Sequence, residues 1–381
     1  MKLCFLQLAL SSALISNAQA TFPGAKEIDR AIEDAMLAGT THGAVLFIGH
    51  EGKIAYRKAY GDRAIVPALE PMTIDTIFDA ASLTKVIATT SCVMKLVDQG
   101  KLQIDQPVTK YLPEFQGGHS PITIRNLMTH FSGLRPDVIL DPPWTGYQTG
   151  IQKALTETPT APPGTKFVYS DINFLLLGEI VRRLSGQTLA EFANEQVFQP
   201  LEMKDTRFCP PSVDLSRIAP TEFDPAGGPP LRGVVHDPTA RYMGGVAGHA
   251  GLFTSADDLA KFAQMMLDGG VFRATRLFSA AVIARFTRPQ SPPNQPILRG
   301  LGWDIDSPLS KNRGELFPIG SYGHTGFTGT SIWIDPSSKS YVILLTNYLH
   351  PRKEKRSLTS LRSRVATLAA ASLGYTSQGI R

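Results

Sequence analysis

The sequence predicts a mixed α/β fold of the α+β type, in which an antiparallel sheet built from both termini is flanked by helices and carries an inserted, mostly helical domain. Two hairpin patterns lie near opposite ends of the chain, at residues 44–56 and 331–346. Helical patterns dominate the sequence between them, and this order of elements favours one sheet with an insertion. We therefore expect an α/β domain from residues 21–75 and 290–381, and a mostly helical domain from residues 76–289.

Residues 1–20 have the pattern of a secretory signal peptide. Lys2 gives a short basic start, residues 3–15 are mostly apolar, and Ala18-Gln19-Ala20 has the small-x-small form of a cleavage site. No later stretch reaches the roughly 18 apolar residues that a membrane span requires. The mature protein is therefore expected in the periplasm or outside the cell, without a membrane span.

Local patterns near the two ends define the first and last elements. The apolar side chains of residues 25–37 recur with helical spacing, and a last helix is expected at residues 358–371. Each hairpin consists of two apolar runs around a short polar turn. The paired runs are residues 44–49 with 53–56, and residues 331–336 with 341–346.

The middle of the chain is mostly helical, with proline-rich loops between the helices. Asp171 is placed to cap the helix that follows it, and Ser255 is placed to cap the helix after it. The helices are expected at residues 82–99, 124–130, 172–184, 189–197 and 256–267.

Composition and charge narrow the functional class. Hydrophobic residues make up 43% and charged residues 19% of the chain, which fits a soluble globular enzyme rather than a disordered chain. The formal charge of +5 comes largely from basic residues near the C-terminus, where no aromatic residues are interleaved, so nucleic-acid binding is not expected. Cys92 lies in an apolar helical run, so we expect a core residue there rather than half of a disulfide with Cys209.

Ser82 and Lys85 form an S-x-x-K pattern at the start of an apolar helix. Residues three positions apart on a helix lie on one face. A serine hydroxyl becomes an effective nucleophile when a base takes its proton, and a lysine can do this if burial or a neighbouring cation lowers its pKa. The amide groups of a helix N-terminus also favour developing negative charge. The pattern alone is common by chance and also describes ordinary residues on a helix surface.

Two further segments supply polar groups. Tyr169 lies on a loop just before a helix, where a phenol beside Lys85 can shuttle a proton between Ser82 and a leaving group. The structural alternative is a packed tyrosine with a satisfied hydroxyl. Residues 323–329 read Gly-His-Thr-Gly-Phe-Thr-Gly before a predicted strand, and glycines there let the backbone approach a ligand closely.

Together these segments resemble the β-lactamase and penicillin-binding-protein superfamily, in its class C-like branch, from residue 43 to about residue 348. A stretch at residues 127–134 is also similar to the family's L-x-x-H-x-S-G-L. The family order is S-x-x-K, then Y-x-N or Y-S-x, then K-T-G. The matching residues are Ser82 and Lys85, then Tyr169-Ser170-Asp171, and then His324-Thr325-Gly326.

The resemblance implies a role for each matched residue. Ser82 would be acylated, and Lys85 and Tyr169 would share the general acid and base work. The backbone amides of Ser82 and Phe327 would form the oxyanion hole. The other residues that the resemblance places around the substrate are Asp171, His324, Thr325 and Gly326.

Two residues depart from the family pattern. Asp171 replaces the common asparagine, which alters the usual amide hydrogen bond to an acyl side chain. His324 replaces lysine, and a neutral imidazole attracts a substrate carboxylate less well than an ammonium group. Efficient hydrolysis of β-lactams is therefore not expected.

Residues 233–253 are similar to a pattern in cell-wall-associated homologues, which include D-alanyl-D-alanine carboxypeptidase-like proteins and an N-acetylmuramyl-L-alanine amidase. Within this segment, His236 and Asp237 either line the substrate cleft or form a hydrogen-bonded pair that braces a loop. His249, between glycines, and His130 are expected to be structural. No clustered Cys/His spacing occurs, so neither a metal nor another cofactor is expected.

The sequence therefore predicts an exported serine hydrolase that acts through an acyl-enzyme on an amide or ester bond. Peptidoglycan fragments are the leading substrate class, and a small ester handled by a carboxylesterase is the alternative within enzymes. A penicillin-binding or cell-wall-binding protein without turnover is the alternative of another class. The combination of Ser82, Lys85 and Tyr169 favours an enzyme, because a pure binder needs none of them.

The substitution His324→Lys tests the departure at this position. It should raise the affinity for penicillin-like compounds more than that for simple esters, because lysine supplies a permanent charge toward a carboxylate whereas histidine does so only near or below pH about 6.5. Binding constants for both substrate classes would measure this. Unchanged values for both would mean that His324 is a structural residue.

Overall fold

The computed structural model describes residues 22–118, 121–351 and 357–376, together with the backbone of residues 379 and 380. The predicted signal peptide at residues 1–20 and the basic run at residues 352–356 lie outside this description. Among the described residues, no helix combines the length and apolar character needed to span a bilayer. The thiols of Cys92, which is buried, and Cys209, which is exposed, are both free.

The sheet joins the two ends of the chain, as the sequence predicts. Its eight strands are antiparallel in the order β3-β2-β1-β13-β12-β11-β10-β9, so that β1 from the N-terminal part pairs with β13 from the C-terminal part. A second sheet has the order β4-β6-β5. The strands are β1 (Gly43–His50), β2 (Lys53–Ala64), β3 (Glu70–Pro71), β4 (Ile77–Asp79), β5 (Arg207–Phe208), β6 (Leu252–Ser255), β7 (Val271–Phe272), β8 (Thr275–Arg276), β9 (Leu298–Arg299), β10 (Asp304–Asp306), β11 (Tyr322–Thr325), β12 (Ser331–Asp335), β13 (Ser340–Thr346), β14 (Tyr375–Thr376) and β15 (Gly379–Ile380).

The helices are α1 (Ala25–Leu37), α2 (Ser91–Asp98), α3 (Ile124–Thr129), α4 (Tyr147–Leu155), α5 (Asp171–Ser185), α6 (Leu189–Ala193), α7 (Pro238–Tyr242), α8 (Ala256–Leu267), α9 (Ala280–Thr287) and α10 (Thr359–Ser372). Short π-helical segments cover Lys85–Thr90 and Asn194–Phe198, and 3-10 turns cover Val108–Lys110, Ser212–Arg217 and Ser310–Arg313. The bounds of α1 and α8 agree with the prediction. The sequence did not predict α4, α7 or α9.

The helix caps agree with the prediction at one position and differ at the other. Ser255 caps α8 by accepting a hydrogen bond from the Asp258 amide. Asp171 does not cap α5: the N-cap is Ser170, and Asp171 is the first residue of the helix. Its carboxylate lies 2.6 Å from the Lys85 ammonium instead. The Asp171 carboxylate therefore pairs with the buried Lys85, although the local pattern predicted that it would cap the helix.

The main sheet separates two groups of buried side chains. Along β1, Val45 and Phe47 face the larger core, and Leu46 and Ile48 face the smaller one, as the period of two in a strand requires. Helix α8 packs on the first face, against β1, β12 and β13. Helices α1 and α10 pack together on the second face.

The larger core spans both predicted domains. It contains Val45 and Phe47 of the sheet together with Phe174 and Leu177 of α5. This common core crosses the predicted division at residues 75/76 and 289/290. The division itself stays a prediction.

The end of β11 lies against the turn that follows β4. Thr328 donates its hydroxyl to the Asp79 carbonyl at 2.7 Å, and Thr330 donates its hydroxyl to the Ala80 carbonyl at 3.0 Å. A Cβ on Gly326 would lie 2.1 Å from Thr330 Oγ1 and 2.6 Å from the Ala80 carbonyl oxygen. Only glycine therefore allows the two segments to approach this closely.

Gly326→Ala should destabilise the protein by about 1–3 kcal/mol, because the added methyl group forces β11 away from the turn after β4. Thermal and urea unfolding would measure the loss. Gly228→Ala is the matched control, because its added Cβ would come no closer than 3.3 Å to Asp224 in a loop. Equal stability of the two variants would show that the approach at Gly326 is not tight in solution.

Candidate active site

The turn after β4 places Ser82 at the beginning of a helical segment. Ala81 has a φ of 46°, in the left-handed region that a residue with a side chain rarely adopts. The buried Asp79 carboxylate accepts the Ala81 amide at 2.9 Å, and the Thr84 hydroxyl donates to the Ala81 carbonyl at 2.6 Å. These contacts hold the unusual conformation and leave Ser82 partly exposed.

The side chain of Lys85 is fully buried and lies beside Ser82. Its Nζ donates to Ser82 Oγ at 3.0 Å and to the His249 carbonyl at 3.2 Å, and it lies 2.6 Å from Asp171 Oδ1. Burial lowers the pKa of Lys85, but the Asp171 carboxylate and Tyr169 together outweigh burial and raise the pKa above its ordinary value of 10.5. The sequence analysis expected a lowered pKa for Lys85, and this expectation is wrong for the resting site.

Tyr169 completes the group around Ser82. The Lys85 ammonium lies 4.9 Å from the centre of its ring, and the phenol has hydrogen-bond contacts with the side chains of Lys85 and Ser82. Burial raises the pKa of Tyr169, although Lys85 lowers it in part. The phenol is therefore protonated in the resting site.

His130 supports the loop that carries Tyr169. It has a φ of 61°, its ring lies 4.5 Å from the Tyr169 ring, and its Nδ1 accepts the Ser170 amide at 3.1 Å. Asn173 lies 3.2 Å from the same nitrogen. Because burial lowers the pKa of His130 well below its ordinary value, this histidine is neutral. Its contacts are those of the structural residue that the sequence predicts.

The three sequence motifs meet at one cavity of about 350 Å³. Ser82 and Tyr169 lie on one side, and the end of β11 lies on the other. Phe327 is 54% exposed and presents an apolar surface there. The motif residues that line the cavity are Ser82, Tyr169, His324, Thr325, Gly326 and Phe327.

His324 lies on β11 and lines this cavity as an uncharged group. Its Nδ1 lies 2.8 Å from the Thr325 carbonyl, so this nitrogen carries the proton and Nε2 is an acceptor. Burial, followed by the charges of Arg299 and Lys85, lowers the pKa of His324 well below its ordinary value of 6.5. The expectation that His324 becomes a cation near that pH is therefore wrong.

Arg362 supplies a cation that the sequence analysis missed. It extends from α10 to the same cavity, where its Nη2 donates to the carbonyls of Gly326 and Thr330, both at 2.8 Å. Burial lowers the pKa of Arg362 to about 10, and the group stays charged at neutral pH. No local motif marks this residue, because its relation to the site depends on how α10 packs.

His236 and Asp237 are not hydrogen-bonded to each other. The His236 amide donates to the Asp79 carboxylate at 2.7 Å, and its ring stacks on Phe327 with centroids 5.7 Å apart. Asp237 Oδ1 lies 2.8 Å from His249 Nε2 and also accepts the Ala240 amide, which caps α7. His236 thus lies beside Phe327, which lines the cavity, and a substrate contact for either residue stays a prediction.

Asp171, Asp237 and His249 offer ligand atoms within 4.8 Å of one another, a spacing that could hold a metal ion. Their charges already have partners: the Lys85 ammonium contacts Asp171, and His249 contacts Asp237. A divalent cation here would lie close to the Lys85 ammonium and would be repelled by it. The positions of these three side chains are therefore better explained by the ion pairs that they form than by binding of a metal ion.

A family model and several curated relatives match most of the chain. The model of the Beta-lactamase family matches residues 28–366. An N-acetylmuramyl-L-alanine amidase of Bacillus subtilis strain 168 is 35% identical over 363 residues, covering 85% of this chain and 81% of the relative. A protein of Escherichia coli K12 named "Putative D-alanyl-D-alanine carboxypeptidase" is 32% identical over 364 residues, covering 84% and 83%.

Solved structures show the same fold. EstCE1, described as a hydrolase with promiscuous acyltransferase activity, matches with a TM-score of 0.73 and 23% identity, covering 91% of this chain and 98% of that chain. A penicillin-binding protein homologue from Caulobacter crescentus matches with a TM-score of 0.72 and 22% identity, covering 91% and 97%.

Asp237→Asn should destabilise the protein by about 1–3 kcal/mol, because the buried His249 loses its charged partner. Asparagine caps a helix as well as aspartate does, so the cap of α7 is retained. Thermal unfolding of the variant and the wild type at acidic and alkaline pH would measure the loss.

The loss should depend on pH. Burial lowers the pKa of His249, but Asp237 outweighs it and raises the pKa, so this contribution is present below 6.5 and disappears as the pH rises through the folded value. Burial raises the pKa of Asp237, but His249 outweighs it and lowers the pKa, so that contribution is present above 3.8 and disappears at lower pH. The largest loss of stability in Asp237→Asn is expected between pH 3.8 and pH 6.5. An equal loss at alkaline pH would contradict the pairing of Asp237 with His249.

Proposed function

The chain belongs to the beta-lactamase family, and we propose that it is an exported serine hydrolase that forms an acyl-enzyme on Ser82. The observation that carries the proposal is the contact of 3.0 Å between Ser82 Oγ and the buried Lys85 Nζ, beside Tyr169 and at the edge of a cavity. A partly exposed hydroxyl next to two groups that can exchange protons is what nucleophilic catalysis requires.

In the proposed reaction, Ser82 attacks an amide or ester carbonyl and Lys85 and Tyr169 move the proton to the leaving group. The backbone amides of Ser82 and Phe327 are proposed to stabilise the oxyanion. Thr325 and Gly326 extend the cavity beside the reacting bond. Water then releases the acyl group from Ser82.

Peptidoglycan fragments are the proposed substrate class. The curated relatives carry names that refer to D-alanyl-D-alanine and to N-acetylmuramyl-L-alanine, both parts of cell-wall peptides. Residues 1–20 are proposed to direct the chain to the periplasm or to the outside of the cell, where this substrate occurs. The Arg362 guanidinium in the cavity provides a positive charge for a peptide carboxylate.

A carboxylesterase is the second candidate. The neutral His324 and the exposed Phe327 give the cavity an uncharged, partly apolar wall, which suits a simple acyl ester. A binding protein without turnover is less well supported, because it has no need of a buried lysine in contact with the serine.

One set of assays distinguishes these candidates. The mature protein would be incubated in parallel with muropeptides, a chromogenic cephalosporin and a short-chain p-nitrophenyl ester, with the products identified by mass spectrometry. Cleavage of muropeptides supports the first proposal, and hydrolysis of the ester alone supports the second. A stable adduct on Ser82 without product supports the binding protein.

Ser82→Ala should reduce turnover by about a thousandfold or more without changing the fold, because the nucleophile is lost. Steady-state rates on the best substrate, with a melting curve of the same sample, would measure this. Ser91→Ala is the control: that serine is buried and its hydroxyl donates to the Val86 carbonyl at 3.2 Å, away from the cavity. Turnover near the wild-type rate in Ser82→Ala would reject Ser82 as the nucleophile.

A further inference from the structure

Asp171 is the charged group in direct contact with Lys85. Among the groups in contact with Nζ, the Ser82 hydroxyl and the His249 carbonyl are neutral, and Asp171 Oδ1 at 2.6 Å is a carboxylate. The Lys85 side chain is fully buried, whereas that of Asp171 is 22% exposed. A buried ammonium without a counter-ion is costly, so Asp171 allows Lys85 to stay charged.

The remaining titratable groups around this pair do not replace Asp171. Asp237 and His249 pair with each other, so their charges balance. Burial raises the pKa of Asp137 and Tyr169 and lowers the pKa of His130 and His324. It therefore disfavours the charged form of all four groups. The groups that face Lys85 or Asp171 are Asp137, Tyr169, Asp237, His130, His249 and His324.

We propose that Asp171 is a positioning residue that holds Lys85 as an ammonium beside Ser82, so that Lys85 acts in acylation as a proton relay rather than as a free amine. This inference rests on the proposed function. It assigns to Asp171 a role different from the contact with an acyl amide that asparagine makes in the family pattern.

The geometry serves both protonation states of Lys85. As an ammonium, Lys85 donates to Ser82 and to the carbonyl of residue 249, and it forms an ion pair with Asp171. As an amine, it would still donate to the carbonyl of residue 249 and would accept the Ser82 hydroxyl through its lone pair. Proton transfer therefore reverses the hydrogen bond between Ser82 and Lys85.

The proton balance of acylation closes within this group. As the bond between Ser82 Oγ and the acyl carbon forms, the Ser82 proton passes to Lys85, Lys85 gives one of its protons to the Tyr169 oxygen, and Tyr169 gives its own phenolic proton to the leaving-group atom in one concerted transfer. The bond between the acyl carbon and the protonated leaving group then breaks. In net terms, Ser82 loses one proton, the leaving group gains one, and Lys85 and Tyr169 return to their initial states.

Asp171→Asn tests the proposal, because asparagine keeps the shape and removes the charge. The acylation burst with p-nitrophenyl acetate would be followed by stopped flow across pH for the wild type and the variant. Wild-type acylation should show no Lys85 ionisation near neutral pH. In the variant the Lys85 ionisation should move to lower pH by about one unit or more, because burial is no longer opposed by a carboxylate.

Two further variants control the experiment. Asp171→Glu keeps the charge and should retain the wild-type shape of the pH profile even if acylation is slower. Asp257→Asn removes a carboxylate that is 56% exposed in the first turn of α8, and its profile should match the wild type. If Asp171→Asn proves unstable on melting, a change of shape in Asp171→Glu would itself overturn the proposal.

The results distinguish failure of the proposed relay from failure of the proposed function. Mass spectrometry after reaction with the ester would show whether Ser82 is acylated in each protein. A wild type without acyl-Ser82 would reject the proposed function. Acylation of Ser82 in both proteins, with pH profiles that differ only by a constant factor, would reject the relay alone. An effect confined to KM would instead place Asp171 in substrate binding.

Discussion

The burial of one ammonium group shapes the centre of this protein. A charge removed from water must recover its lost hydration from fixed partners, and Lys85 recovers it from three separate parts of the chain. Ser82 lies in the turn just before the helical segment of Lys85, Asp171 begins α5, and the His249 carbonyl comes from the loop before β6. These segments must therefore meet for the Lys85 charge to be satisfied, and the Ser82 hydroxyl lies where they meet.

A second constraint fixes the wall opposite Tyr169. The turn after β4 holds Ala81 in the left-handed region, and the Asp79 carboxylate stabilises the turn while also binding the His236 amide. Gly326 and two threonine hydroxyls bring β11 against this turn. The position of the serine relative to the third motif is thus set by the close approach at Gly326 and by the two threonine hydrogen bonds.

Local periodicity was enough to predict the elements that depend on local sequence. The bounds of α1 and α8 and the two main hairpins follow from apolar spacing and turn residues, because these patterns act over a few positions. The order of the motifs was enough to bring Ser82, Lys85 and Tyr169 to one site. The family match and the antiparallel sheet also agree with the resemblance that the sequence shows.

The features that the sequence could not predict depend on contacts between residues that lie far apart along the chain. Asp171 has the pattern of a helix cap, and only the approach of Lys85 reveals its other partner. The raised pKa of Lys85 and the lowered pKa of His324 reflect the balance of burial and charge, which no spacing encodes. Arg362 lies on a helix without any catalytic motif, and its role at the cavity depends on the packing of α10.

The contacts of Arg362 have a consequence for the order in which the protein matures. Strand β13 pairs with β1, and the guanidinium of α10 holds the carbonyls beside the third motif. A growing chain that has reached β6 already contains Ser82, Lys85, Asp171 and His249, but not the opposite wall of the cavity. The cavity is therefore complete only after residue 362 has been synthesised and its helix has docked, so a nascent or C-terminally clipped chain would carry the proposed nucleophile without a finished site.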